Sequence, residues 1–146
     1  MVLFQNVVPN VESYSELVQQ VLKIIPRGSL ILMKGQVGAG KTTFISYFCQ
    51  AFQLRFVQSP TYAIHQHYQN SEVTVEHFDL YRLDSEDELQ AAGFYDLINA
   101  PADYKFIEWS EKIKADDLLS IGPLYEMKFE VQENQARLCV LSRLSD

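Results

Sequence analysis

The chain has 146 residues, 47% apolar and 21% charged, the proportions of a globular protein that can bury one core, so a single domain over residues 1–146 is expected. Its formal charge of −7 is uneven, with five basic and two acidic side chains in residues 1–60 against seven and seventeen in residues 61–146. Lys and Arg nowhere gather into a surface able to grip RNA or DNA, no apolar run approaches membrane-spanning length, and no basic segment followed by an apolar one opens the chain. These features predict a cytoplasmic protein with no membrane role.

Val2 to Val8 reads as a first strand, broken by Pro9-Asn10. Val11, Tyr14, Leu17, Val18, Val21, Leu22 and Ile25 then recur at three- and four-residue steps, which predicts an amphipathic helix. Ser13 and Glu16 have capping-box spacing near its start, and Pro26-Arg27-Gly28 ends it. Leu30-Ile31-Leu32-Met33 is an unbroken apolar run, as in a strand buried on both faces. Phe44, Ile45, Phe48, Cys49 and Phe52 form the apolar stripe of a second helix fading near Leu54.

Between that strand and that helix lies Gly35-Gln36-Val37-Gly38-Ala39-Gly40-Lys41-Thr42-Thr43, which fits the phosphate-loop pattern G-x-x-x-x-G-K-[ST]. Glycines let successive backbone N–H groups approach phosphate oxygens, and the helix opening at Lys41 adds the positive end of its dipole. The nucleotide-binding residues expected here are Gly35, Val37, Gly38, Ala39, Gly40, Lys41, Thr42 and Thr43. Lys41 should reach the β- and γ-phosphates, and the Thr42 hydroxyl should ligate magnesium.

Ser59-Pro60-Thr61-Tyr62 marks a turn into a strand through Tyr68, and Asn70-Ser71 a hairpin turn into Val73–Phe78. His65 and His67 share one face of that strand, but no third ligand has obvious spacing and His77 is a weak candidate, so surface or half-buried histidines are expected. The acidic group Asp84, Glu86, Asp87 and Glu88 contains a capping-box pair, Ser85 with Glu88, and fits the start of a short helix ending at Gly93. Lys105 to Trp109 reads as a second buried strand, and Leu124–Val131 and Ala136–Leu141 as two strands around Glu133-Asn134-Gln135. Cys49 and Cys139 fall on apolar faces and should be reduced core residues. The sum is an α/β fold, a P-loop NTPase-like domain whose mixed, mostly central β-sheet is flanked by helices and followed by a C-terminal β-hairpin.

Turnover needs a carboxylate that holds magnesium opposite Thr42 and a group that positions water. Asp79 and Glu108 both end apolar strands, and composition does not choose between them. The phosphate loop, Ser59-Pro60-Thr61-Tyr62, His77-Phe78-Asp79-Leu80-Tyr81-Arg82 and Ile107-Glu108-Trp109, in this order and spacing, resemble the bacterial TsaE family over roughly residues 30–112. That family is the small ATPase of tRNA threonylcarbamoyladenosine synthesis. The resemblance implies that Glu108 joins Thr42 around magnesium, that Thr61 acts as a switch near the γ-phosphate, that Asp79 orients water or supports the metal shell, and that Trp109 sits close to the nucleotide. It implies ATP and Mg2+ as cofactors, and the TsaD catalytic subunit and its TsaB companion as partners through which tRNA is met only indirectly. Two positions depart from the family pattern. Gln36 stands where an acidic residue is usual, and Val11 where a threonine near the adenine is common.

Rival readings are a small-molecule or nucleoside kinase, a GTPase and a non-catalytic nucleotide-binding module. A kinase usually needs an arginine-rich lid, whereas five arginines are scattered along this chain. A GTPase would want Asn-Lys-x-Asp and Asp-x-x-Gly, and the sequence contains neither.

Overall fold

The apolar run at Leu30–Met33 has side chains on both sides of one strand, and such a strand is satisfied only between two layers. The computed structural model, which describes residues 1–55 and 64–145, gives it that place. Seven strands form one sheet: β1 (Val2–Val8), β2 (Ser29–Lys34), β3 (His65–Gln69), β4 (Thr74–Asp79), β5 (Tyr104–Glu108), β6 (Leu124–Val131) and β7 (Arg137–Ser145). Their order is β1-β7-β6-β2-β5-β4-β3. The β6–β2, β2–β5 and β5–β4 pairs are parallel, and the three outer pairs are antiparallel. The expected mixed sheet, flanking helices and C-terminal hairpin are therefore present.

Alternate residues of β2 serve the two layers. Ile31 and Met33 pack with Leu17, Val18 and Val21 of α1 (Tyr14–Ile24) and with Phe44, Ile45 and Phe48 of α2 (Lys41–Ala51). Leu30 and Leu32 face the opposite layer, where α3 (Glu86–Ala91) and α4 (Phe94–Asn99) bring Leu89, Phe94 and Ile98. Phe48 sits among aromatic rings, 4.8 Å from Phe106, 5.0 Å from Tyr104 and 5.5 Å from Phe52 between centroids. Cys49 and Cys139 are free and buried, and burial pushes both thiols up to about 12, as expected of inert core thiols.

Five local expectations are corrected. Ser13 does not cap the first helix. A 3₁₀ turn at Val11–Ser13 precedes α1, and its cap is Asn10, whose Oδ1 accepts from Ser13 N at 3.1 Å. The Ser85 cap does form, accepting from Glu88 N at 3.2 Å, but Glu88 reaches back to Asp84 N and not to Ser85 N. After Gly93, with φ at 75°, a further helix α4 starts that no pattern announced. Trp109 leaves β5 with a left-handed φ of 64°, and β7 runs on to Ser145 because it pairs with β1 as well as β6.

Asn70 explains the β3–β4 turn, its Oδ1 accepting from Glu72 N at 2.8 Å and Val73 N at 3.0 Å. The expected turn at Ser59–Tyr62 lies outside the described residues. Truncating Phe48 to Ala should cost about 3–5 kcal/mol, read as a lower urea midpoint at unchanged slope.

Candidate nucleotide-binding site

The loop between β2 and α2 has the backbone its glycines allow. Gly35 has φ 145°, and a Cβ there would lie 2.7 Å from the Phe129 carbonyl of β6. Gly40, at φ 108°, would put a Cβ 2.1 Å from the Tyr14 hydroxyl. A side chain at either position forces a clash, so these two glycines are steric requirements. α2 opens immediately after Gly40, directing its first amides and its dipole into the loop. Lys41 is buried, and its Nζ donates to the Gly35 carbonyl at 2.7 Å. It also lies 4.1 Å from the centroid of the Trp109 ring. Burial lowers the Lys41 pKa, opposed by the nearby charges of Glu108, Glu111 and Asp79.

Both candidate carboxylates end parallel strands beside the loop, and the register places Asp79 opposite Glu108. Thr42 Oγ1 lies 3.1 Å from each Glu108 carboxylate oxygen, and its hydroxyl donates to this pair. Glu108 Oε2 also receives His77 Nε2 at 2.6 Å. Glu108 is buried, whereas Asp79 is half-exposed, its Oδ1 accepting from Tyr81 N at 3.1 Å.

A cavity of about 600 Å³ opens over these groups, a volume suited to a nucleotide. Of the expected residues, Val37, Gly38, Gly40, Lys41, Thr42, Thr43, Asp79, Glu108 and Trp109 line it. Gly35 and Ala39 stand behind the wall, the first holding Lys41 and the second fully buried. Thr61 lies outside the described residues.

Sequence reasoning named only Val11 of one further wall and no residue of another. One is Pro9, Asn10, Val11 and Tyr14, which precede and open α1. The other is Gln135 and Arg137, from the turn between β6 and β7. Arg137 Nε donates to the Ala39 carbonyl at 2.9 Å, and its Nη2 lies 3.3 Å from the Gly38 carbonyl. Nothing in the local pattern singles this arginine out. Only its position after the expected turn could have drawn attention to it. Trp109, which the resemblance implied lies close to the nucleotide, stands at the cavity with Tyr81, ring centroids 4.9 Å apart.

On β3, His67 lies across from Glu76 and His65 across from Phe78, and both histidines bond to the Glu76 carboxylate. Among the described residues no group of three or more His, Cys, Asp or Glu is arranged to hold a metal ion. Bonds from Gln69 and then Glu76 raise the His67 pKa. Burial pushes Glu76 up, but the two histidine bonds outweigh it and hold the carboxyl below its usual range.

A glycine loop running from a buried parallel strand into a helix, with a hydroxyl facing a carboxylate at the strands' carboxyl ends, defines a P-loop NTPase-like nucleotide-binding fold. The chain belongs to the TsaE family: residues 8–139 match the family profile described as threonylcarbamoyl adenosine biosynthesis protein TsaE. The protein of that name from Rickettsia conorii is 36% identical over 132 residues, which are 88% of this chain and 71% of the relative. The Aquifex aeolicus protein of the same name is 29% identical over 125 residues, 83% of this chain and 88% of the relative. In fold, the chain is similar to the crystal structure of Bacillus subtilis YdiB, with a TM-score of 0.74, 18% identity and coverage of 99% and 88% of the two chains.

The pKa shifts at β3 carry a testable sign. A raised histidine pKa stabilises the fold fully below the ordinary value of 6.5 and loses that contribution as pH rises through the raised value. His67→Gln should therefore lower the melting temperature at pH of about 6 and leave it close to wild type at about 9. An equal loss at both values would contradict the ion pair.

Proposed function

We propose that the chain is a magnesium-dependent ATPase acting as an accessory subunit in tRNA N6-threonylcarbamoyladenosine formation. The observation that carries this reading is the Thr42 hydroxyl 3.1 Å from both oxygens of buried Glu108, beside the Lys41 ammonium at the start of α2. Hydroxyl and carboxylate are the hard oxygen donors magnesium prefers, and the open cavity leaves room for the waters it keeps. Thr42 and Glu108 would hold the ion. When bound, it neutralises charge on the β- and γ-phosphates.

The remaining roles belong to the chain's own groups. Backbone amides from Val37 to Thr43 cup the phosphates, and Lys41 exchanges its bond to the Gly35 carbonyl for phosphate oxygens. Asp79, half-exposed at the cavity beside Glu108, orients the attacking water, with Thr61 as the switch near the γ-phosphate. Trp109 lies against the nucleotide. Residues 1–146 serve as one P-loop unit in the cytoplasm.

Arg137 lines the cavity, but its guanidinium is held by the Ala39 and Gly38 carbonyls, so an unassisted rate should be slow. An arginine finger contributes about 10³–10⁵ in rate where one is supplied. Nucleotide turnover would then change how the protein docks on the TsaB and TsaD partners, which meet the tRNA.

Hydrolysis by the purified chain should be slow and should rise when TsaB and TsaD are added. Equal, fast rates would overturn the accessory reading, and phosphate found on a small metabolite would favour a kinase. In a thermal shift, Mg-ATP at about 100 times its dissociation constant should stabilise the chain by about 2.7 kcal/mol, a rise of a few degrees. Lys41→Ala should abolish that rise, and Glu108→Ala should remove only its magnesium-dependent part.

A further inference from the structure

We infer that His77 is a positioning residue that fixes which oxygen of Glu108 is presented to the cation. This inference rests on the reading of Glu108 as a magnesium ligand. His77 lies in β4, fully buried, with Phe106 of β5 and Gln66 of β3 as its register neighbours. A polar ring at such a depth is costly unless it is hydrogen-bonded. Its Nε2 lies 2.6 Å from Glu108 Oε2.

The geometry around Glu108 is asymmetric for one reason. Thr42 Oγ1 is 3.1 Å from both carboxylate oxygens, so that contact favours neither. His77 engages Oε2, and Oε1 is left facing Thr42. A carboxylate turns readily about its last torsion, and the imidazole supplies the hold that stops it. The ring nitrogen facing the carboxylate carries the proton, because a carboxylate only accepts. Groups that orient a metal ligand from behind in this way typically matter 10–100-fold for metal affinity.

The experiment reads magnesium and not turnover. ADP binding is measured calorimetrically in EDTA and over a magnesium series for wild type, His77→Leu, His77→Asn and His77→Gln. Glutamine carries an amide N–H about as far from the backbone as the imidazole Nε2, and asparagine is too short to reach. In EDTA the variants should bind ADP as wild type does, which reports an intact loop. The magnesium concentration that gives half of the affinity gain should rise about 10–100-fold in His77→Leu and His77→Asn. It should stay close to wild type in His77→Gln.

Were burial the only role of His77, leucine or asparagine would leave that half-point in place, and this result would overturn the inference. If the leucine variant loses ADP binding in EDTA, the asparagine–glutamine pair decides, and equal half-points in the two overturn it. A wild type whose ADP affinity ignores magnesium removes both the ligand reading of Glu108 and the role of His77. A magnesium-responsive wild type whose leucine and asparagine variants keep its half-point removes the role of His77 alone.

Discussion

Parallel pairing of β2 with β5 places Met33 beside Glu108, so the strand that feeds the phosphate loop and the strand that ends in the buried carboxylate stop at the same level. The distance between Thr42 and Glu108 follows from that register. A slip by one residue would turn Glu108 into the opposite layer, among Leu30, Leu32 and Phe78, where a carboxylate has no apolar-compatible partner. The apolar side chains that alternate along β2 and β5 hold the register through both faces. The core and the chemistry are therefore one constraint, since the packing that excludes water also aligns the site.

Charge in the site is arranged around that alignment. Lys41 is kept out of water, which on its own favours the neutral amine, and Glu108, Glu111 and Asp79 counter this. A cation held between carboxylates and an indole face is ready to meet an anion without a large change in hydration. The left-handed turn at Trp109 serves the same end. By leaving β5 directly after Glu108, the chain sends the indole over Lys41 and not onward along the sheet edge.

The sequence made the loop and the two carboxylates legible because their chemistry demands residue types at fixed spacing and because apolar periods name the elements on either side. It also gave six of the seven strands nearly in place. What it hid was set by distance along the chain. Asn10 replaces Ser13 as the cap because the first turn is 3₁₀, a choice that spacing alone does not encode. α4 follows a left-handed glycine, so the same residue that ends one helix begins the next. His77 read as a weak metal candidate, and its bond to Glu108 depends on β4 lying beside β5, a pairing between segments about thirty residues apart. The extension of β7 likewise needs β1, at the other end of the chain.

Arg137 makes the phosphate loop answer to that same distant pairing. Its guanidinium holds the carbonyls of Ala39 and Gly38, while its backbone is in register with both Val8 of β1 and Val131 of β6. Sub-global opening of the outer strands would thus loosen a loop nearly a hundred residues away in sequence. By reciprocity, occupancy of the loop would slow amide hydrogen exchange along β7, which runs from Arg137 at the cavity away to Ser145, so that this strand would report the state of the loop.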